Sequence, residues 1–181
     1  MARLIPLWTG RPLDDPTAIA EFLAPRGVAF ARWEVGSEAT ALAAREALDD
    51  DARERLVALF RLELARLADA EGYPAADVVA VRAVPGVDEA LARFDRVHFH
   101  DDDEVRAIVG GRGAFGFVGD DGRQFLLEVE AGDFISVPAG MWHWFYCDDE
   151  RTITAIRLFR DSAGWTPHYR STERGVPAVH G

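Results

Sequence analysis

The sequence contains a single cysteine, Cys147, and it has no long hydrophobic run. One cysteine excludes an intramolecular disulfide, so we expect a protein of the reducing cytoplasm. No segment reaches the roughly 20 consecutive apolar residues that a membrane-spanning helix needs, and the first residues lack the apolar stretch of a signal peptide. We therefore expect no association with a membrane.

Cationic side chains are also scarce compared with anionic ones. Lys and Arg together number 20 against 31 Asp and Glu, which gives a formal net charge of −11. Such a surface repels phosphate groups, which argues against nucleic acids and anionic membranes as partners. An anionic small-molecule substrate would have to be held by local cations. We expect a monomer.

The length of 181 residues favours a single domain. We divide it into an N-terminal α/β extension (1–76), a β-barrel (77–160) and a C-terminal tail (161–181). Helical patterns cover Pro16–Leu23, Ser37–Ala44 and the stretch from Asp49 to Glu71. From Val97 onwards, short strands alternate with Gly, Pro and Asp turns; the predicted strands are Val105–Val109, Ala114–Val118, Gln124–Val129, Phe134–Val137, Trp142–Cys147 and Ile153–Phe159. Many short strands at this spacing predict a closed or double-sheet antiparallel barrel.

A candidate metal site lies at the start of this region. His98 and His100 are one residue apart on an extended segment, so their imidazoles point the same way. Glu104 can return after a tight turn, and His143 follows the turn Pro138–Gly140. Three imidazoles and one carboxylate suit a divalent transition metal with open coordination positions. The alternatives are ordinary core or surface residues, or a structural zinc, which normally has four ligands including cysteine.

The spacing of these residues resembles two motifs of the cupin superfamily. The first is His98-x-His100-xxx-Glu104 followed by Gly110 and Gly111, and the second is Gly132-xxxxx-Pro138-x-Gly140-xx-His143. Within cupins, the chain resembles the bacterial acireductone dioxygenases through segments such as Phe30–Trp33, Glu71–Tyr73, Asp103–Arg106, His143–Phe145 and Thr154–Phe159. The resemblance implies a double-stranded β-helix (jelly-roll) fold and assigns the four residues as metal ligands.

The same resemblance implies an activity and further site residues. Arg106 would be catalytic, stabilising the enolate, and the substrate would contact Phe94, Phe145, Arg157 and Trp165. The expected substrates are 1,2-dihydroxy-5-(methylthio)pent-1-en-3-one and O₂. With one Fe(II) per chain the products would be formate and 4-methylthio-2-oxobutanoate. With Ni(II) they would be formate, carbon monoxide and 3-(methylthio)propanoate. Alternatives are another cupin metalloenzyme, such as a different dioxygenase or a sugar isomerase, and a non-catalytic binding module.

The sequence departs from the pattern of these families in three places. Val97 stands where acireductone dioxygenases commonly have Glu, Ala107–Ile108 replaces an aromatic pair, and Cys147 stands where many cupins have Asn. Strand alternation places Phe145 and Cys147 on the same face as His143, and Arg106 on the same face as Glu104. Arg157 shares a face with apolar residues, so we expect it either to face the substrate or to pair with a buried carboxylate such as Glu128.

Overall fold

The computed structural model describes residues 1–160 and 166–176, which form ten strands and five α-helices. The strands are β1 (Arg3–Pro6), β2 (Ala29–Arg32), β3 (Ala75–Val81), β4 (Arg96–Phe99), β5 (Glu104–Val118), β6 (Gln124–Glu130), β7 (Asp133–Val137), β8 (His143–Cys147), β9 (Ile153–Phe159) and β10 (His168–Arg174). The helices are α1 (Pro16–Leu23), α2 (Ser37–Ala43), α3 (Asp50–Leu59), α4 (Arg61–Glu71) and α5 (Val87–Leu91). Within these described ranges, every helix is too short or too polar to span a membrane.

The first two helices match the predicted ranges to within one residue, and the third predicted helix is divided in two. The Asp15 carboxylate accepts a hydrogen bond from the Ala18 backbone N–H at 2.9 Å and caps α1. The chain then makes a short 3₁₀ turn that ends at Gly27, whose φ of 76° suits glycine. The predicted helix from Asp49 to Glu71 is interrupted at Phe60, which has non-helical backbone angles and is 3% exposed. Burial of the Phe60 ring therefore accompanies the separation of α3 from α4.

The strands pair antiparallel in two sheets that share β5. The first sheet has the order β1-β6-β5-β8-β4-β10, and the second has the order β2-β7-β5-β9-β3. The largest hydrophobic cluster includes Phe115 and Leu127 from the first sheet and Ile108 and Ala155 from the second, so this core lies between the sheets. The double-sheet form of the predicted jelly-roll is confirmed. The sheets do not close into a continuous barrel over the described residues.

Strand β5 is longer than the sequence indicates. The two predicted strands, Val105–Val109 and Ala114–Val118, are parts of one continuous strand of 15 residues. Its first half pairs in the second sheet and its last half in the first, with a register shift between Ile108 and Gly110. Gly111 has a φ of 72°, and a Cβ there would lie 1.9 Å from the Thr152 carbonyl oxygen. Glycine therefore allows β5 to bend from one sheet into the other.

The outer faces of the two sheets are covered differently. Helices α2 and α3 pack Leu42 and Leu56 against the outer face of the second sheet. Trp144 is fully buried on the outer face of the first sheet, and its indole N–H donates to the Val176 carbonyl oxygen at 2.9 Å.

Both ends of the chain contribute strands to the sheets. Strand β1 pairs with β6, and β2 pairs with β7. Strand β10 pairs with β4, although the sequence predicts a tail there. The residues of β10 do not themselves indicate a strand. They form one by pairing with β4, which is about seventy residues away in the sequence. The division into extension (1–76), barrel (77–160) and tail (161–181) stays a prediction.

Candidate active site

Four predicted ligands converge at one end of the space between the sheets. One side-chain ligand atom from each of His98, His100, Glu104 and His143 lies within 4.8 Å of every other. His98 on β4 and His143 on β8 are direct cross-strand partners, and Glu104 is the first residue of β5. The antiparallel pairing of β4 with β8 therefore unites two motifs that are about forty residues apart in the sequence.

Backbone carbonyl groups orient two of the histidines. The Nδ1 atom of His98 lies 2.6 Å from the Arg96 carbonyl oxygen, and that of His143 lies 2.8 Å from the Met141 carbonyl oxygen. Because a carbonyl oxygen only accepts hydrogen bonds, each Nδ1 carries a proton and each Nε2 is left to face the cluster. Burial, helped by nearby His143, lowers the pKa of His98 to about 4. His98 is therefore neutral at neutral pH, in the form that binds a metal.

The Glu104 carboxylate has a different partner at each oxygen. Oε2 lies 2.7 Å from His143 Nε2 and 3.5 Å from His100 Nε2, whereas Oε1 lies 2.9 Å from Arg106 Nη2. Burial alone would raise the pKa of Glu104, but the Arg106 charge and the histidine contacts hold that pKa well below its usual range. The carboxylate is therefore ionised. Arg106 fixes its orientation from the cavity side.

The donor set fits a divalent transition metal ion. Metal bonds of about 2.0–2.2 Å place the ligand atoms of one ion within about 4.4 Å of one another, close to the observed spread. Histidines bind a metal as neutral imidazoles and glutamate binds it as a carboxylate, so this set would supply a single negative charge against the two positive charges of the ion. Neither a cysteine nor a second acidic residue belongs to the cluster among the described residues. Such a set leaves room for exchangeable ligands.

A cavity of about 550 Å³ adjoins this cluster. His98, His100 and Glu104 line one end of it, and Arg106 lies beside them on the wall. Three of the predicted substrate-binding residues, Phe94, Phe145 and Arg157, also line the cavity. Phe94 lies at the surface with 37% exposure, and its carbonyl oxygen accepts a hydrogen bond from the Phe145 N–H. The fourth, Trp165, lies outside the described residues.

The partner of Arg157 differs from the expectation. The sequence suggests a buried carboxylate such as Glu128, but Arg157 pairs with Asp77, which lies directly across from it on β3. Arg157 Nε donates to Asp77 Oδ1 at 2.7 Å, and Nη2 contacts the second carboxylate oxygen. Glu128 was a wrong choice because it shares the outward face of β6 with Leu126, away from the cavity.

Two cavity residues that contact predicted site residues, Asp77 and Tyr169, were not expected from the sequence. The alternation of Asp77, Val79 and Val81 on β3 is a signal that could have revealed the first, because these three residues line the cavity together. Tyr169 on β10 lies opposite His98, with ring centroids 5.8 Å apart. Nothing local in the sequence marks it.

The three departures from the family pattern have different surroundings. Val97 packs with Leu126 and Trp144 on the outer face of the first sheet. Ala107 packs beneath the helices on the outer face of the second sheet, and Cys147 is buried in the central core. Of these departures, Ile108 alone lines the cavity. Of these departures, Ile108 is therefore the one that can directly change the size of the pocket.

Comparison with known proteins identifies the family. A sequence model of the "ARD/ARD' family" matches residues 14–167. The acireductone dioxygenase of Leptospira interrogans is 41% identical over 159 residues, which cover 87% of this chain and 89% of that protein. The acireductone dioxygenase of Geobacillus kaustophilus is 39% identical over 171 residues, covering 93% and 95%.

A solved structure agrees with these sequence matches. The acireductone dioxygenase from Bacillus anthracis, with a cadmium ion in its active centre, superposes with a TM-score of 0.87 at 36% identity. The match covers 93% of this chain and 98% of that one. The jelly-roll fold and the convergence of the four candidate ligands agree with this likeness. The chain therefore belongs to the acireductone dioxygenase (ARD/ARD') family.

Proposed function

We propose that this chain cleaves 1,2-dihydroxy-5-(methylthio)pent-1-en-3-one with O₂ in methionine salvage, using His98, His100, Glu104 and His143 as its metal ligands. The chain is a metal-dependent dioxygenase by its family. The observation that supports this assignment of ligands is the convergence of the four side chains beside a cavity with cationic walls. A bound divalent ion would act as a Lewis acid and as a template for the substrate's neighbouring oxygens.

Two arginines would hold the anionic head of the substrate. Arg106 donates to Glu104 Oε1 and reaches the cavity, so its charge can stabilise negative charge that develops on the enediolate. Arg157 lies next to Arg106 across the β5–β9 pair and is oriented by Asp77. These cations compensate locally for the net charge of −11 of the whole chain. The site therefore attracts an anion at short range despite the acidic surface.

Aromatic side chains would exclude water from the bound substrate. Phe145 packs against Phe115 with the rings tilted and their centroids 5.0 Å apart, and both line the cavity. Tyr169 covers His98 from the β10 side. A dry site strengthens the interaction of both arginines with the substrate. We expect Trp165 to contact the substrate as well.

The choice of metal would determine the products. We propose one Fe(II) per chain, giving formate and 4-methylthio-2-oxobutanoate. With Ni(II) in the same site, formate, carbon monoxide and 3-(methylthio)propanoate would form instead. Both ions accept imidazole and carboxylate ligands. The four side chains are therefore compatible with either ion.

Metal reconstitution tests this proposal. Purified protein is stripped with a chelator, loaded with Fe(II) or Ni(II), and supplied with the acireductone and O₂. We expect rapid loss of the substrate with either metal. Carbon monoxide should form in the Ni(II)-loaded protein and not in the Fe(II)-loaded protein. Substrate loss no faster than in the metal-free control would contradict the proposal. We further propose that the protein is a cytoplasmic monomer. Size-exclusion chromatography with light scattering tests its oligomeric state.

A further inference from the structure

Two parallel rows of side chains cross the cavity wall on the second sheet. Register places inward-facing residues of β3, β9 and β5 side by side. The charged row consists of Asp77, Arg157 and Arg106, and the apolar row consists of Val79, Ala155 and Ile108. Inward positions two residues apart are separated by about 6.6 Å along a strand. The apolar row is therefore one step further from the metal ligands than the charged row.

The apolar half of the cavity is larger than the expected substrate requires. A cavity of about 550 Å³ falls within the range of about 300–1,000 Å³ that holds drug-sized ligands, whereas the acireductone has only about ten non-hydrogen atoms. Ile108 lies four residues beyond Glu104 on β5, which corresponds to about 13 Å. The methylthioethyl tail spans roughly 5 Å by ordinary bond lengths. Space beyond the tail is lined by the apolar row and then by Val81 and Ile153.

Ala155 has the smallest side chain of the apolar row. It lies directly between Val79 and Ile108 on the neighbouring strands and is 4% exposed. A larger side chain at this position would project into the cavity, since Ala155 lines it. The depth available to a substrate tail therefore depends on this residue.

We propose that this chain also oxidises acireductones with linear alkyl tails longer than methylthioethyl, and that Ala155 sets the upper limit of tail length. The inference rests on the proposed function. The reaction is unchanged: the C1–C2 bond of the enediol breaks, one atom of O₂ enters formate and the other enters the carboxylate of the 2-oxo acid. O₂ accepts the four electrons that the substrate loses. The alkyl tail remains attached to the 2-oxo acid and takes no part in the bond changes.

A series of 1,2-dihydroxyalk-1-en-3-ones with tails from butyl to octyl tests this proposal on the Fe(II)-loaded enzyme. Butyl matches the length of methylthioethyl. We expect kcat/KM for the octyl substrate to stay within about tenfold of the butyl value, because an apolar pocket that has room does not reject extra methylenes. In Ala155→Leu the octyl-to-butyl ratio should fall by about tenfold or more, since a methylene that does not fit costs about 10–200-fold.

A second variant and a control guard against effects of altered folding. Val79 is only half-buried, so Val79→Phe narrows the same row with less disturbance of the core, and it should lower the ratio too. Ala76→Leu enlarges a side chain on the opposite face of β3, against the helices, and should leave the ratio unchanged.

Two results would overturn the inference. One is a wild-type octyl-to-butyl ratio below about one hundredth, the level expected of a pocket that cannot admit the longer tail. The other is an unchanged ratio in both Ala155→Leu and Val79→Phe. Failure of the proposed function itself looks different, since neither butyl nor methylthioethyl substrates would then react faster than in the metal-free control.

Discussion

The metal side and the wall side of the cavity are built in different ways. On the metal side, His98 and His100 lie in one short segment, and Glu104 follows four residues later. On the wall side, Asp77, Arg157 and Arg106 come from three strands of the second sheet. The metal side thus depends mainly on residue spacing within motifs, whereas the wall side depends on the register between distant strands. Substitutions on the two sides should therefore separate metal content from turnover.

The largest effect should come from the metal side. His98→Ala removes a buried imidazole whose Nε2 faces the cluster, so bound metal should fall from one ion per chain to almost none. Loss of a ligand should exceed the about 10–100-fold loss that follows removal of a supporting residue. Elemental analysis, turnover and circular dichroism check this together. Full metal retention in a folded variant would remove His98 from the ligand set.

A substitution of Arg106 should separate turnover from metal binding. Arg106→Met keeps side-chain length but removes the donors that face Glu104 and the cavity. We expect kcat to fall by about 10²–10³-fold, the usual cost of removing a donor to a developing anion. Most of the metal should remain. Arg106→Lys keeps the charge and serves as the comparison, and we expect it to retain more activity than the methionine variant. Wild-type turnover in Arg106→Met would exclude a catalytic role.

Asp77 acts on the wall side through Arg157. Asp77→Asn keeps the side-chain shape but removes the charge that holds the Arg157 guanidinium. We expect kcat/KM to fall by about tenfold through loss of orientation, with metal content unchanged. Asp88→Asn is the matched control, because Asp88 pairs with Arg151 outside the cavity. Equal effects of the two substitutions would show that Asp77 has no special part in substrate orientation.

The same contrast explains what could be predicted from the sequence. The ligand histidines lie in segments whose spacing is itself the signal, so they could be identified before the strands were located. The Arg157–Asp77 pair depends on the β3–β9 register, which joins positions eighty residues apart. The sequence indicated a cationic side chain on an apolar face but not its partner. Tyr169 was missed for the same reason, since β10 becomes a strand only by pairing with β4.

The glycines of β5 show a second limit of sequence patterns. Gly110 and Gly111 interrupt the alternation, and this interruption predicts a turn between two strands. The chain instead continues in the same strand and changes sheets, because Gly111 adopts a positive φ and can approach the Thr152 carbonyl where no Cβ would fit. A local pattern does not distinguish a chain that turns back from a strand that bends. Long-range pairing of β5 with four other strands decides the outcome.

The smallest effect should come from a substitution of Asp103, which precedes the ligand Glu104 and contacts residues next to the ends of β3 and β9. Its carboxylate accepts hydrogen bonds from the Tyr73 hydroxyl at 2.6 Å and the Ala139 N–H at 2.9 Å, and it pairs with Arg160 at 2.8 Å. Asp103 precedes Glu104, and Ala139 lies in the turn that leads to His143. Burial would raise the pKa of Asp103, but these three partners outweigh it and hold that pKa below its usual value.

Asp103→Asn should therefore destabilise the metal-free protein in a pH-dependent way. A carboxyl group with a lowered pKa stabilises the fold above its unfolded-state pKa of about 4, and this contribution is lost as the pH falls through the folded-state value. We expect a deficit of about 1–3 kcal/mol in the free energy of unfolding at neutral pH. The deficit should shrink as the pH falls below about 4, because the wild-type carboxyl group then becomes neutral as well. Urea unfolding at neutral pH and at a pH below about 4 measures this deficit. Asp14→Asn, which removes the charge of an exposed ion pair, serves as the control. A deficit that is the same at both pH values would mean that the charge of Asp103 contributes nothing, and that the loss comes from replacing an acceptor oxygen with an amide NH₂ group that cannot accept a hydrogen bond.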